Sequence, residues 1–216
     1  MTMVRSSADT GTPLIATVAS DGNLLDAFGE AMACYDVGTA EHAARVGSRA
    51  RRVAMCLGLH ELEVEALHWA GLLHDVGKLA VPTAILRKPG PLTPDEWRII
   101  KRHPDVGADL LVTIAGPLAP IAAGVRSHHE RWDGAGYPLG LAGAEIPLSG
   151  RILTIVDVFD ALTHSRRYRP SSFDAEDALD YVVGNAGIEF DPEVVPAFVD
   201  VYRRESMDLD REGAVR

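Results

Sequence analysis

The sequence contains little cysteine, no long apolar run and less positive than negative charge. Its two cysteines, Cys34 and Cys56, have no C-x-x-C spacing, which argues against a disulfide framework, a zinc ribbon and a secreted protein. No apolar run approaches the ~18 residues of a membrane span, so we expect a cytoplasmic protein that does not use a membrane. The 21 basic and 31 acidic residues give a net charge of -10, which disfavours nonspecific binding to a nucleic acid polymer.

The length of 216 residues fits one compact domain with short appendages. A folded chain of this size buries roughly 70% of its unfolded surface, so it needs no structural metal, and any metal would serve chemistry. Residues 1–22 are rich in Ser, Thr, Ala and Gly without an apolar period, which predicts a disordered or loosely attached segment. We therefore expect a single domain over residues 23–204, followed by a charged tail over 205–216.

The apolar residues recur with a helical period and no convincing alternating strand appears, so the predicted fold class is all-α. His42 shares a stripe with Val46 and Val53, which places it on the inward face of its helix. The sequence Thr93-Pro94-Asp95-Glu96 has the signature of a capping box and predicts the start of another helix. Further helices are predicted from Asn23 onward and over about 61–74, 105–113, 118–129, 150–165, 174–184 and 192–204, the last capped by Asp191.

A glycine-rich stretch interrupts the helical pattern between His129 and Gly150. Together with Gly150 it contains five glycines and two prolines, and it is too long for an ordinary connection between helices. Loops of this length and composition are more often functional than idle. The stretch therefore predicts a loop with a functional role.

Histidines and aspartates recur at positions that face the expected core. His74 and Asp75 end one predicted helix, and His42, His128 and Asp157 lie on inward stripes of three others. Buried polar groups of this kind need partners, and divalent ions would satisfy all of them. Imidazole and carboxylate without thiolate suit iron, manganese, nickel or zinc, while the abundance of imidazole argues against an all-oxygen calcium or magnesium site.

In their order and spacing, these motifs resemble the HD-GYP domain, the cyclic di-GMP phosphodiesterase branch of the HD phosphohydrolases. The match runs from about residue 38 to residue 200. Its motifs are His74-Asp75-Val76-Gly77-Lys78, Lys88-Pro89-Gly90 with Leu92-Thr93, His103-Pro104, His128-His129-Glu130, Trp132-Asp133-Gly134, Gly136-Tyr137-Pro138, Asp157 to Leu162, and Phe190-Asp191-Pro192.

The resemblance implies a helical bundle of the HD-domain type, a single domain with a glycine-rich GYP loop. It also implies a metal centre. Family members with three metals carry a glutamate four residues before the first histidine, and Gly38 stands at that position here. We therefore expect two divalent transition-metal ions, iron or manganese. The ligands implied by the resemblance are His42, His74, Asp75, His103, His128, His129 and Asp157.

The resemblance further implies hydrolysis of cyclic di-GMP to linear pGpG, with continuation to GMP left open. Two metals ~3.5 to 4 Å apart can hold a bridging hydroxide that attacks the phosphodiester. Asp75 is expected to bridge the metals, because one carboxylate can reach two ions, and Lys78 is expected to contact a phosphate oxygen as a catalytic and substrate-binding residue. By resemblance, Asp160, Arg166 and Arg169 contact the guanine bases or the flanking phosphate.

The GYP loop is expected to form a mobile wall beside the centre, with Tyr137 facing the substrate and a diguanylate cyclase or sensor protein as a partner. Two alternatives stay open. The family pattern usually has Asp and Pro where this chain has Ser165 and Arg167, which admits another nucleotide or cyclic dinucleotide as substrate. The missing carboxylate at Gly38 admits a noncatalytic module that binds nucleotides or proteins. The sequence does not fix the oligomeric state, and a homodimer stays open.

Overall fold

The computed structural model of the protein describes residues 37–114, 119–164 and 173–213. No β-strand occurs in these ranges, which confirms the all-α prediction. The helices are α1 Val37–Cys56, α2 Glu61–Leu73, α3 Thr83–Leu86, α4 Pro94–Ile100, α5 His103–Ile114, α6 Ala119–Ser127, α7 Leu148–Thr163, α8 Ala175–Gly184 and α9 Val195–Gly213, with 3-10 helices at Val76–Ala80 and Gly143–Glu145.

The core forms where the apolar stripes of α1, α2 and α7 meet. On α1 the residues Val46, Ala50 and Val53 are fully buried, as their helical spacing predicts. Helix α1 packs against α2, α7 and α9, while α6 packs against α5, α2 and α7. The central helix α7 is buried along most of its length, so its inward side chains reach several neighbouring helices at once.

Two close backbone contacts set the spacing of the helices that carry polar residues. A Cβ atom on Gly71 of α2 would lie 2.6 Å from the Cα atom of Gly47 on α1, so these helices cross at a pair of glycines. The 3-10 helix approaches α5 in the same way, because a Cβ atom on Gly77 would lie 2.6 Å from the backbone nitrogen of Gly107. Side chains near both crossings are thereby brought within contact distance.

The segment from Pro82 to Ile100, which contains α3 and α4, includes no buried residue. Its second helix begins at the predicted capping box, in which the Thr93 hydroxyl accepts from the Glu96 N–H and the Glu96 carboxylate accepts from the Thr93 N–H. Lys88 adds a 2.7 Å ion pair to Glu96. Local interactions therefore shape this segment without help from the core.

The last helix departs from its prediction. It begins at Val195 instead of residue 192, because residues 192–194 form a turn. The Asp191 carboxylate holds this turn by accepting the Glu193 N–H at 2.8 Å, and it pairs with Arg151 at 2.6 Å. The helix then continues to Gly213, through most of the segment predicted as a charged tail.

Several predictions fall wholly or partly outside the described residues. The segment 1–22 and the helix from Asn23 lie there, so the domain boundaries stay predictions. Of the helices that the structure describes, none combines the length and apolarity needed to cross a membrane.

Candidate metal centre

The first cluster of ligands forms where α1, α2 and the 3-10 helix meet. His42, His74 and Asp75 each offer a ligand atom within 4.8 Å of the others, and all three residues are buried. The Nε2 atoms of His42 and His74 lie 3.3 Å apart, since the glycine crossing of α1 and α2 brings their helices together. Asp157 of α7 adds its Oδ1 atom 3.1 Å from Nε2 of His42.

The second cluster consists of His103, His128 and His129, whose ligand atoms also lie within 4.8 Å of one another. His103 is the first residue of α5, and His128 follows the end of α6. The Nε2 atoms of His103 and His128 are 3.3 Å apart. Four separate segments of the chain therefore contribute imidazoles to the two clusters.

Asp75 connects the two clusters. Its Oδ2 atom lies 3.5 Å from Nε2 of His74, and its Oδ1 atom lies 3.2 Å from Nε2 of His103. Each oxygen of one carboxylate thus faces a different group of histidines. This geometry is the one that a ligand shared by two cations requires.

Three of the histidines are oriented in the same way by the backbone. The Nδ1 atoms of His74, His103 and His128 donate to the carbonyl oxygens three residues earlier, at 2.8, 2.8 and 2.6 Å. A proton on Nδ1 leaves the Nε2 lone pair available, and Nε2 faces the centre in each case. The backbone therefore fixes the tautomer that can bind a metal.

His42 is oriented by a carboxylate instead of the backbone. Its Nδ1 atom donates to Oδ2 of Asp160 at 2.6 Å, and Asp160 in turn accepts from Arg45 at 2.7 and 3.0 Å. Carboxylates commonly hold metal-binding histidines in this manner. His164 also lies 3.3 Å from the Asp160 carboxylate. Asp160 is thus buried among side chains, and its predicted contact with substrate stays a prediction.

Burial and neighbouring charges shift the pKa values in the centre in opposite directions. Burial lowers the pKa of His74 and of His128, and it lowers that of His129 to about 4. Burial alone would raise the pKa of Asp75, but the Lys78 ammonium and the rings of His74 and His103 outweigh it and hold that pKa well below its ordinary value. These shifts favour neutral rings at His74, His128 and His129 and an ionised carboxylate at Asp75, the protonation states that bind cations.

His42 is the exception among the imidazoles. Burial lowers its pKa, but hydrogen bonds to Asp157 and Asp160 outweigh burial and raise the pKa to about 9. In the metal-free protein this ring is protonated at neutral pH. A cation at Nε2 would have to replace that proton.

Lys78 and Tyr137, which are predicted to contact the substrate, lie at the edge of the centre. The Lys78 ammonium is 2.5 Å from Oδ2 of Asp75, and its side chain is partly exposed. The Tyr137 ring stacks on that of His129, with ring centres 4.7 Å apart and planes 29° apart. Burial, together with the charges of Asp75 and Asp157, raises the pKa of Tyr137, so its hydroxyl stays protonated.

The loop that carries Tyr137 is fastened at both sides. The Tyr137 N–H donates to the His129 carbonyl at 3.1 Å, and the buried Glu130 carboxylate accepts the N–H groups of Leu139 and Leu141 at 2.7 and 3.2 Å. The Asp133 N–H donates to the carbonyl of residue 188 at 2.9 Å. These bonds hold the loop against the centre, beside which it was predicted to lie, and its predicted mobility stays a prediction.

Some predicted site residues cannot be placed, and some that matter were missed. Arg166 and Arg169 lie outside the described residues, and of Gly38 only the helical backbone is described. Arg45 was not among the predicted site residues, although its position three residues after His42 puts both on one face of α1. Glu130 was also given no role, and the adjacent histidines were the available signal for it.

The donor set fits divalent metal ions. The two clusters offer imidazole nitrogen and carboxylate oxygen, and no thiolate belongs to either cluster. Their ring nitrogens point toward one another, an arrangement that is costly for buried polar atoms unless cations lie between them. The seven predicted ligands therefore converge, with Asp157 adjoining the first cluster.

Comparison with characterised proteins agrees with the geometry. The chain is 41% identical over 178 residues to a cyclic di-GMP phosphodiesterase of Thermotoga maritima, covering 79% of this chain and 48% of that protein. It is 42% identical over 176 residues to the cyclic di-GMP phosphodiesterase response regulator RpfG of Xanthomonas campestris, covering 81% and 46%. A 3'3'-cGAMP-specific phosphodiesterase of Vibrio cholerae is 40% identical over 163 residues, covering 75% and 31%. The chain thus spans about half the length, or less, of these relatives.

Solved structures share the fold. An HDG"Y"P protein of Bdellovibrio bacteriovorus superimposes with a TM-score of 0.61 at 18% identity, covering 88% of this chain and 60% of that one. The HD domain of the phosphodiesterase PgpH of L. monocytogenes gives 0.60 at 18% identity, covering 84% and 98%. Residues 29–194 match the HD domain family. The chain therefore belongs to the HD domain family, which confirms the resemblance identified from its motifs.

Proposed function

We propose that the chain is a metal-dependent phosphodiesterase that hydrolyses cyclic di-GMP to the linear dinucleotide. The observation that carries the proposal is the position of Asp75, whose two carboxylate oxygens face two different clusters of histidines. A site that holds two cations side by side suits the in-line displacement at a phosphodiester. The relatives from T. maritima and X. campestris, which are named for this activity, support the choice of substrate.

The metal content follows from the same geometry. We propose two divalent ions, one at each cluster, with Asp75 as the shared ligand. The imidazole and carboxylate donors suit several divalent transition metals, and the resemblance to the HD-GYP domain favours iron or manganese among them. Gly38 supports a count of two, since it offers no side chain for a third ion. When bound, such ions supply a water of lowered pKa and neutralise the charge of the phosphate.

The residues of the chain bind and orient the reacting groups. Asp75 lies between the two clusters, and the backbone carbonyls that accept from Nδ1 hold three imidazoles in one tautomer. Lys78 lies between Asp75 and solvent, where its ammonium can move from the carboxylate to a phosphate oxygen of the substrate. That contact would stabilise the negative charge that develops during hydrolysis.

A second cyclic dinucleotide is the alternative substrate. Three relatives from V. cholerae, 37% to 43% identical, are named as specific for 3'3'-cGAMP. The segment with Ser165 and Arg167 departs from the family pattern at the place where base contacts are predicted. A comparison of cyclic di-GMP with 3'3'-cGAMP as substrates decides between the two.

The GYP loop also suits the predicted protein partner. Leu139, directly after the Tyr137-Pro138 pair, is 59% exposed although it is a large apolar residue. Contiguous apolar patches mark contact surfaces, and a single exposed residue such as Leu139 is compatible with one without defining it. We propose that a diguanylate cyclase or sensor protein binds there.

The test of the proposed function is turnover by the metal-loaded protein. Protein reconstituted with iron or manganese is incubated with cyclic di-GMP or 3'3'-cGAMP, and the products are separated by chromatography. His74→Ala and Asp75→Asn should abolish turnover, whereas His60→Asn should not, because His60 caps α2 outside both clusters and Asn preserves a cap. Absence of turnover with wild-type protein, or full turnover by Asp75→Asn, would contradict the proposal.

A further inference from the structure

Lys101 lies at the edge of the metal centre without being part of it. It is the C-terminal cap of α4, two residues before the ligand His103. Its ammonium nitrogen lies 5.0 Å from the centre of the Tyr137 ring. Because that ring stacks on His129 with a 4.7 Å separation, the Lys101 ammonium is at most 9.7 Å from the centre of the His129 ring.

The ammonium of Lys101 differs from the neighbouring cations in its contacts. Lys78 pairs with Asp75 at 2.5 Å, and Arg45 pairs with Asp160 at 2.7 Å. Lys101 instead contacts an aromatic ring, and no carboxylate in the described ranges lies within ion-pair distance of it. A cation on an aromatic face near solvent is held more weakly than one that donates a charge-assisted hydrogen bond to phosphate. Lys101 can therefore exchange the ring for an anionic ligand at little cost.

A cyclic dinucleotide presents two phosphodiesters, and the two clusters of ligands can engage only the one that is hydrolysed. The other phosphodiester stays anionic beside a protein with a net charge of -10. It needs a cation of its own near the mouth of the centre. Lys101 is exposed, and its ammonium lies over the Tyr137 ring, which itself stacks on His129 of the second cluster.

We propose that Lys101 is a substrate-binding residue that contacts the phosphodiester of the cyclic dinucleotide that is not hydrolysed. The proposal rests on the proposed function in that it takes a cyclic dinucleotide as the ligand. Lys101 thereby selects substrates with two phosphodiesters over substrates with one. Tyr137 holds its ammonium in place until the ligand arrives.

The experiment compares two ligands that differ in the number of phosphodiesters. Binding of the bis-phosphorothioate analogue of cyclic di-GMP, which resists hydrolysis, is measured on the metal-loaded full chain by calorimetry. Turnover of bis(p-nitrophenyl) phosphate, which has one phosphodiester, is measured in parallel, with metal content per chain as a further readout. The variants are Lys101→Gln, Lys101→Arg and, as a matched control, Arg102→Gln, which removes an adjacent exposed cation.

Lys101→Gln should weaken binding of the analogue at least about tenfold, the effect of losing one charge-assisted hydrogen bond. It should leave metal content and turnover of bis(p-nitrophenyl) phosphate unchanged. Lys101→Arg should restore most of the binding, and Arg102→Gln should bind like wild type.

The other outcomes contradict the role of Lys101, the proposed function or both. Binding by Lys101→Gln within twofold of wild type overturns the role of Lys101 and leaves the proposed function intact. If Lys101→Gln weakens analogue binding and bis(p-nitrophenyl) phosphate turnover equally, or loses metal, the proposed role of Lys101 is also overturned, because the lysine would then act on the metal centre itself. Wild-type protein that binds the analogue but does not hydrolyse cyclic di-GMP refutes the proposed function alone, and failure of wild type to bind the analogue refutes both.

Discussion

Replacement of Asp160 by Asn tests whether this carboxylate holds His42 in position for a metal. The carboxylate accepts from Nδ1 of His42 at 2.6 Å and from two nitrogens of Arg45 at 2.7 and 3.0 Å. Asn keeps one acceptor oxygen and turns an NH2 group toward a donor, so either His42 or Arg45 loses its partner. Loss of such an orienting group lowers metal affinity by about 10- to 100-fold.

The same substitution should affect folding less than metal binding. Breaking a fully buried ion pair costs about 3–5 kcal/mol. The Arg45 side chain, however, is 31% exposed, so water can replace part of what Asp160 provides. We therefore expect a loss of about 1–2 kcal/mol in the free energy of unfolding, the range for a buried polar group left without its hydrogen bond.

The measurement is metal content per chain at a series of buffered free manganese concentrations, with thermal unfolding of the metal-free protein recorded in parallel. Arg45→Met should show a smaller loss of affinity than Asp160→Asn, since the carboxylate still reaches His42. Asp200→Asn is the matched control, because Asp200 is exposed and pairs only with the exposed Arg204 among the described residues. If Asp160→Asn binds manganese as tightly as Asp200→Asn, the reasoning is refuted.

Three further predictions concern pH, the GYP loop and a glycine contact. In the metal-free protein the pKa of His42 is raised to about 9, so its contribution to the free energy of unfolding is complete below pH 6.5 and is lost as the pH rises through 9. The pKa of His129 is lowered to about 4, so its contribution is complete above pH 6.5 and is lost as the pH falls toward 4. Thermal unfolding should therefore show maximal stability near pH 6.5, and a monotonic rise to pH 9 would contradict this. Glu130→Gln should speed chymotrypsin cleavage within residues 132–141, because one backbone N–H of the loop loses its acceptor; unchanged cleavage would argue against this anchor. Gly77→Ala should destabilise the protein by about 2 kcal/mol or more, while Gly184→Ala, where a Cβ meets nothing within 4 Å, should be nearly neutral, and equal melting temperatures would disprove the close contact.

The inward positions of several predicted ligands could be read from the sequence because their signal is local, whereas the full ligand set came from the resemblance to the HD-GYP domain. The helical period puts His42 and Asp157 on buried stripes, and the structure finds both residues buried. The capping box from Thr93 to Glu96 is equally local, since it joins residues three positions apart, and it is present as predicted. Residue types and spacing within a single helix therefore determined the inward positions and the helix start.

The contacts between helices could not be read in the same way. Arg45 and Asp160 are 115 positions apart, and only the packing of α1 on α7 brings them together. The contact of Lys101 with Tyr137 likewise depends on how the GYP loop folds back over α4 and His129. The start of α9 was predicted wrongly, at residue 192 instead of Val195. The Asp191 carboxylate accepts the Glu193 N–H, which is a local contact, but its ion pair with Arg151 joins residues 40 positions apart, and no local pattern encodes it.

The segment from Pro82 to Ile100 starts just after Lys78 and ends just before His103, yet it contributes no buried residue to the core. Substitutions along it remove no buried side chain, so they carry little of the penalty that core changes incur. The segment can accordingly diverge between relatives while both flanking groups of ligands stay in register. Exchanging it between homologues offers a way to change the segment that joins Lys78 to His103 with little effect on thermal stability.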